Sequence, residues 1–289
     1  MSALALAVAF AGASCEAEPD ETLAGLTIVS PGSISVTNAK GEPESADGAP
    51  DGVRHVTAAN GWIAVMKADH EVLVSEPARP DGSRAWQRLT FEVDGGRTPT
   101  GMDLSPDATE LAIVLGDPDT PGLELVMIDV ASGKYAGQPI EVMANGPPIW
   151  LSTEVLLLEV IRPDQHSGIA TLDRTTGVVT VTDARGFAPS ATRDGSRVAV
   201  AGPSGVVISE ATSWLGGDPV DSPALAPPAD SSVLDVALDA DGTRLAVAYA
   251  ASSGGAASVV ILRRVGTVWE TMSTIPVLGN DVVSIDWLQ

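Results

Sequence analysis

Along most of this chain, alternating apolar residues lead into a short polar turn, and a second apolar run follows directly. The unit recurs at residues 102–115, 148–158, 189–201 and 236–248. Alternation predicts a strand packed on one face, and the turns carrying Asp107, Asp194-Gly195 and Asp241-Gly242 predict hairpins into a second strand. The copies lie about 40 to 50 residues apart, the period of propeller blades. An earlier copy is expected around 53–65, where Asn60-Gly61 is a hairpin signal ahead of Trp62-Ile63-Ala64-Val65.

A last start, at 282–288, stops where its turn should follow, and the unassigned β-like segments 26–29 and 33–37 lie at the opposite end of the chain. Pairing the two ends would complete that sheet and remove exposed edges. The expected fold is therefore all-β: a six-bladed β-propeller closed by N- and C-terminal strands in one composite blade. The other blades are expected at roughly 55–100, 101–146, 147–187, 188–232 and 233–281. Aligning the turns puts Leu104, Trp150, Ala191, Leu238 and Trp287 in one column, where large apolar side chains would fill the gap between adjacent sheets.

Composition narrows the function classes. The 289 residues include 16 basic and 38 acidic side chains, a formal charge of −22, so a phosphate backbone would be repelled and no nucleic-acid partner is expected. The acids form no long block and read mainly as a solvated surface. A single cysteine rules out an internal disulfide and leaves Cys15 in need of another purpose.

Residues 3–13 form an uncharged apolar stretch, long enough for the core of a signal peptide and too short to span a bilayer. It runs into Gly12-Ala13-Ser14-Cys15 and an acidic segment, which resembles a bacterial lipobox and its tether, with Gly12 where Leu is usual. The expected layout is a signal peptide at 1–14, a disordered acidic tether at 15–24 with Cys15 lipidated, and a single propeller domain at 25–289. Membrane association would come from the lipid, with no transmembrane helix, and a monomer is expected. A plain secretory signal would leave the protein secreted or periplasmic.

The phrases Leu104-Ser-Pro-Asp-Ala-Thr-Glu-Leu-Ala112, Thr192-Arg-Asp-Gly-Ser-Arg-Val-Ala199 and Asp239-Ala-Asp-Gly-Thr-Arg-Leu-Ala246 resemble the Ser-Pro-Asp-Gly-x-x-Leu-Ala signature of TolB-like propeller repeats, a WD-like class. The second half also resembles, more loosely, the propeller portion of actinobacterial LpqB-type lipoproteins. The resemblance implies an envelope protein that binds another protein, with no catalytic residues to carry over.

No nucleophile elbow, zinc helix, Walker loop, dinucleotide fingerprint or Cys-x-x-Cys pair occurs, and the three histidines, His55, His70 and His166, are scattered. No cofactor and no metal site are expected. Asp239-Ala240-Asp241-Gly242 begins like a calcium loop, but Thr243 and Ala250 stand where further acids are required, so it reads as a hairpin turn. The candidate site is the central channel, where Asp103, Asp235, Asp281 and Asp286 would converge and could hold a cation or meet a basic peptide. Trp86 and Trp214 sit in polar surroundings and are the candidate ligand-contact aromatics. The leading expectation is a lipid-anchored, non-enzymatic protein-binding scaffold or regulator in the bacterial envelope. Its alternatives are a propeller hydrolase or lyase using the channel acids, of glycosidase or lactonase type, and a surface carbohydrate-binding module.

Overall fold

Strands that are apolar on both sides must be covered on both sides, and a ring of sheets stacked face to face does this without any layer of helices. The computed structural model describes residues 23–30, 33–45, 50–79, 83–91, 96–117, 120–144, 146–202, 205–215, 225–251, 257–277 and 284–288. Strands β1 (Leu26–Ser30), β2 (Ser33–Thr37) and β3 (Pro43–Ser45) open the chain. Blade 1 follows as β4 (Val53–Ala59), β5 (Trp62–Lys67), β6 (Val72–Ser75) and β7 (Trp86–Arg88). Blade 2 contains β8 (Thr98–Leu104), β9 (Glu110–Asp117), β10 (Thr120–Asp129) and β11 (Ile140–Val142). Blade 3 contains β12 (Ile149–Trp150), β13 (Val155–Ile161), β14 (Ser167–Asp173) and β15 (Val178–Arg185). Blade 4 has β16 (Phe187–Ala191), β17 (Arg197–Gly202) and β18 (Gly205–Glu210), then the one-turn helix α1 (Ala211–Leu215). Blade 5 contains β19 (Ser231–Leu238), β20 (Arg244–Ala251), β21 (Ser258–Val265) and β22 (Val268–Pro276). The last strand, β23 (Ser284–Trp287), pairs with β1, so blade 6 runs β23-β1-β2-β3.

The six-bladed propeller and its composite closure are as the repeat predicts, and the ends of the chain meet antiparallel, with Leu26 opposite Trp287 and Ile28 opposite Ile285. The N-terminal end supplies three strands of blade 6, one more than the pattern shows, because β3 is short and fully exposed and has no apolar rhythm. The strands β7 and β11 are equally short. Among the described residues, blade 4 has three strands; α1 follows the third in the chain, and the outer edge of β18 is met by Leu225 through an isolated bridge to Val206. Residues 1–22, with Cys15, the proposed signal and most of the proposed tether, lie outside the described residues. The last two tether positions do not: Leu23 is buried in the core shared by blades 5 and 6, with its N–H donated to the Ala39 carbonyl at 3.1 Å, so the ordered domain begins before residue 25.

The core is divided by interface. Leu111, Ile113 and Leu115 of β9 point at blade 1, where they meet Met66, Val72 and Val74. The intervening Ala112 and Val114 point at blade 3 and meet Trp150, Leu156 and Leu158. The same period-2 division places Val198 and Val200 against blade 3, and Ala199 and Ala201 against blade 5. Blades 5 and 6 share Ala246, Val259, Leu26 and Trp287, while blades 6 and 1 share Val29, Ile34, Val56 and Val65. Each second strand thus reads as an unbroken apolar run because both of its faces are interfaces.

Turn chemistry sets the hairpins. Asn60 and Gly61 have φ of 53° and 77°, the two positive values of a type I′ turn. In blades 2, 4 and 5 the turn aspartate folds back on its own loop: Asp107 accepts from the Thr109 N–H, Asp194 from the Ser196 N–H and Asp241 from the Thr243 N–H. Asp239 accepts from the Arg244 N–H at 2.8 Å and from its Nε at 2.7 Å, so the calcium-like sequence is a hairpin turn held by its own residues.

Two outcomes test this packing. Leu26 is fully buried at the closing seam, and Leu26→Ala is expected to lower unfolding free energy by about 2 to 5 kcal/mol in urea titrations. The exposed Val178 truncated to alanine should change it by less than about 0.5 kcal/mol. The second outcome uses two glycines in the same left-handed conformation, Gly195 at φ 65° and Gly177 at φ 70°. A Cβ on Gly195 would sit 1.9 Å from the Leu151 carbonyl of the preceding blade, whereas one on Gly177 meets nothing within 4 Å. Gly177→Ala should cost about 1 to 2 kcal/mol for conformation alone, and Gly195→Ala should cost at least about 1 kcal/mol more.

Candidate functional site

The first strand of each blade bonds along one edge to the second strand and turns its other edge toward the central channel. Main-chain N–H groups on that inner edge need acceptors that no neighbouring strand provides. Side chains of the preceding blade provide them. Thr57 of blade 1 accepts from the Leu104 N–H of blade 2 at 3.2 Å, and Asp103 of blade 2 accepts from the Trp150 N–H of blade 3 at 2.8 Å. Glu159 of blade 3 accepts from Ala188 of blade 4 at 3.1 Å, and Ser190 of blade 4 from Leu238 of blade 5 at 2.9 Å. Asp235 of blade 5 accepts from Ile285 of blade 6 at 2.9 Å, and Asp286 of blade 6 returns to Ala58 of blade 1 at 2.9 Å. Every junction in the ring therefore carries one side-chain to main-chain staple.

Four staples use equivalent positions: Thr57, Asp103, Ser190 and Asp286 each precede the column in which Leu104, Trp150, Leu238 and Trp287 stand. In blades 3 and 5 the equivalent residues, Ile149 and Ala237, have no side-chain acceptor. There the carboxylate comes from the second strand as Glu159 or from two residues earlier as Asp235. Sequence reasoning missed Thr57, Ser190 and Glu159, because only acidic residues on first strands were considered.

Both oxygens of each carboxylate are used. Asp103 also receives the Thr57 hydroxyl, Asp286 the Trp287 N–H at 2.8 Å, Asp235 the Val236 N–H at 2.9 Å and Glu159 the Ser167 hydroxyl at 3.0 Å. Burial, opposed by these donors, pushes Asp103 and Asp235 up to about 7. Asp286 is raised well above the ordinary carboxylate range by burial and then by repulsion from Asp103 and Asp235. His55, on the same wall, is lowered by burial and donates Nε2–H to the Met102 carbonyl at 2.8 Å, which fixes its tautomer. These residues line a cavity of about 290 Å³ along the axis.

The structure thus brings Asp103, Asp235 and Asp286 together, while Asp281 lies outside the described residues. Among the described residues no group of three or more His, Cys, Asp or Glu is arranged to hold a metal ion. Trp214 is 2% exposed on α1, with its indole N–H donated to Ser209 at 2.7 Å, so it is a packing residue with no face free for a ligand. Its placement differs from the expected ligand contact because the helix turns the indole onto blade 3. Trp86 is half-buried against the core shared by blades 6 and 1. Trp150 and Trp287 fill the column between sheets as the alignment predicts. Each indole N–H also reaches back to a preceding-blade carbonyl, Asp103 at 3.0 Å and Ala237 at 3.1 Å. Arg174 and Arg244 cover their rings at 5.8 and 4.3 Å.

No family model and no curated protein sequence matches the chain. Among solved structures it is similar to TolB from Acinetobacter baumannii, at 14% identity and a TM-score of 0.64, over 92% of this chain and 67% of that one. A structure described as TolB from Agrobacterium tumefaciens aligns at 13% identity and 0.62, over 88% of this chain and 90% of that one. Hydrazine synthase from Kuenenia stuttgartiensis aligns at 15% identity and 0.52, over 80% and 70%. At these identities the likeness is one of fold, and the fold is a TolB-like six-bladed β-propeller.

The acid ring has a pH signature. In the unfolded chain these aspartates ionise near 3.8, whereas in the folded protein Asp103 and Asp235 do so near 7. Between those values the folded state holds protons that the unfolded chain has released. Their contribution is therefore most favourable below about pH 4, and it is lost as pH rises through about 7. Asp194 acts in the opposite sense, since hydrogen bonds from Ser196 hold it low, and its effect is confined to more acidic pH. Urea unfolding measured from pH 4 to 8 should show stability falling with pH, by up to about 1.4 kcal/mol per unit from each site. Asp103→Asn keeps an acceptor for Trp150 and should flatten that slope; an unchanged slope would contradict the assignment.

Proposed function

We propose that this protein is an exported, lipid-anchored propeller that acts as a non-enzymatic protein-binding scaffold in the bacterial cell envelope. One observation carries the non-enzymatic part: both oxygens of Asp103, Asp235, Asp286 and Glu159 are engaged by donors within the fold. A hydrolase of glycosidase type needs one carboxyl free to give a proton and another free to attack or to activate water. Here the carboxyls hold blades together, which favours structure over turnover. The TolB-like fold and the lipobox-like segment at Cys15 support the envelope reading. The described residues include no helix long and apolar enough to cross a membrane. Protein binding is assigned to the rim, where hairpin loops of several blades share one face.

Expression of the full chain in a bacterial host tests the reading in two parts. Cys15→Ser should move the protein from the membrane fraction to the soluble fraction, and mass spectrometry of the parent should find a diacylglyceryl mass on an N-terminal Cys15. Crosslinking in intact envelopes followed by purification should recover one reproducible protein partner. Turnover of a glycoside or lactone that is abolished in Asp103→Asn or Asp286→Asn would replace the scaffold with the hydrolase alternative.

A further inference from the structure

The two ends of the channel are built differently. At the hairpin end, the turn between β16 and β17 bonds to two other blades. Its Arg193 N–H bonds to the Ala240 carbonyl of blade 5 at 3.2 Å, and its side-chain Nη2 bonds to the Pro106 carbonyl of blade 2 at 2.9 Å. Blades 4 and 2 are not neighbours, so this guanidinium crosses in front of blade 3 to reach its acceptor. Adjoining turns nest closely beneath it, with Gly195 against the Leu151 carbonyl and Gly242 against Thr192. Both Arg193 and Pro106 line the same cavity as Asp103, Asp235 and Asp286. At the opposite end, where the first strands begin, the wall includes Pro147, Phe187 and Leu234, all partly exposed. The staples nearest that end, Glu159 to Ala188 and Asp235 to Ile285, join adjacent blades only.

We propose that Arg193 is a strap closing the hairpin-side mouth of the channel, so that a partner segment reaches the acid-lined chamber from the strand-start end alone. A guanidinium suits the task because its rigid fork of donors reaches a distant carbonyl while the charge stays at the mouth. Its anchor is a main-chain carbonyl held in the Ser105 to Glu110 turn, where the Ser105 N–H bonds to the Glu110 carbonyl at 2.9 Å. The strap thus joins two rigid turns, and its release opens the mouth without unfolding a blade. The inference concerns the route into the channel and holds whichever partner the envelope reading assigns.

Thiol accessibility tests the route. In a Cys15→Ser background, one cysteine is placed at the strapped end as Ala58→Cys and another, separately, at the opposite end as Leu234→Cys; both parent residues line the cavity and are partly exposed. Reaction with a charged methanethiosulfonate is followed with Arg193 present and in Arg193→Ala. With the strap intact, the thiol at 234 should react readily and the one at 58 slowly. Arg193→Ala should accelerate position 58 by about tenfold, as expected for losing one charge-assisted hydrogen bond, and leave position 234 within about twofold. Arg193→Gln keeps a donor without the reach and should behave like the alanine variant, which guards against misfolding of either one; circular dichroism verifies the fold of each. A fast thiol at 58 in the parent, an unchanged rate at 58 in both variants, or equal acceleration at both positions would overturn the strap.

Discussion

A propeller's innermost strands have an edge that no other strand pairs, and the unmet N–H groups on that edge govern how the blades of this protein are joined. A buried N–H left without an acceptor costs on the order of 1 to 3 kcal/mol, so a ring of six junctions could not tolerate the omission at each. The chain answers with Thr57, Asp103, Glu159, Ser190, Asp235 and Asp286, each reaching forward to the next blade. Closure follows from the same device. Asp286 lies near the C-terminal end of the described chain, and its acceptor role for Ala58 joins blade 6 to blade 1. The β1–β23 ladder completes blade 6 itself. The ladder and the staple are separate, and the ring needs both.

The apolar packing serves this geometry. The second strands of blades 2, 4 and 5 carry fully buried small residues, Ala112, Ala199 and Ala246, which let neighbouring sheets approach closely there. Indoles take up the remaining space at two junctions, and their N–H groups add a further bond to the preceding blade. Arg174 covers the Trp150 ring and is itself paired with Glu110 of blade 2, so one arginine links charge, ring and two blades. The acidic excess of the sequence therefore has two populations. Turn acids such as Asp107, Asp194 and Asp241 cap their own loops at the surface, while the channel acids are structural acceptors held at a cost in desolvation.

Much of the fold was legible because hairpin chemistry repeats. Alternation, the Asp-Gly turns and the orphan half-blade at each end together specify six blades and the composite closure. What escaped has no local signal. The strands β3, β7 and β11 are three residues long and owe their existence to a neighbouring edge rather than to their own sequence. The staple ring escaped for another reason: its members are Thr, Asp, Glu, Ser, Asp and Asp, and two of them lie off the common register, so no single residue type marks the site. Trp214 shows the limit of reading polarity from sequence neighbours. Its flanks are polar or glycine-rich, yet one turn of helix buries the ring against Leu157 and Ile169.

The mixture of residue types in the ring also explains why four acids gather where charge is expensive. Thr57 and Ser190 show that a hydroxyl suffices to join two blades, so a carboxylate is not required by the junction alone. A carboxylate, however, has two oxygens and can satisfy two donors at once. Asp286 takes the Ala58 N–H and the N–H of its own neighbour Trp287; Asp235 does the same for Ile285 and Val236. Asp103 takes Trp150 and the Thr57 hydroxyl, which frees Thr57 Oγ1 to accept from Leu104. Replacing such a residue by serine would leave one of two buried donors unmet. The acids are thus selected by donor count, and their raised proton affinity is the electrostatic consequence of placing several double acceptors around one narrow axis.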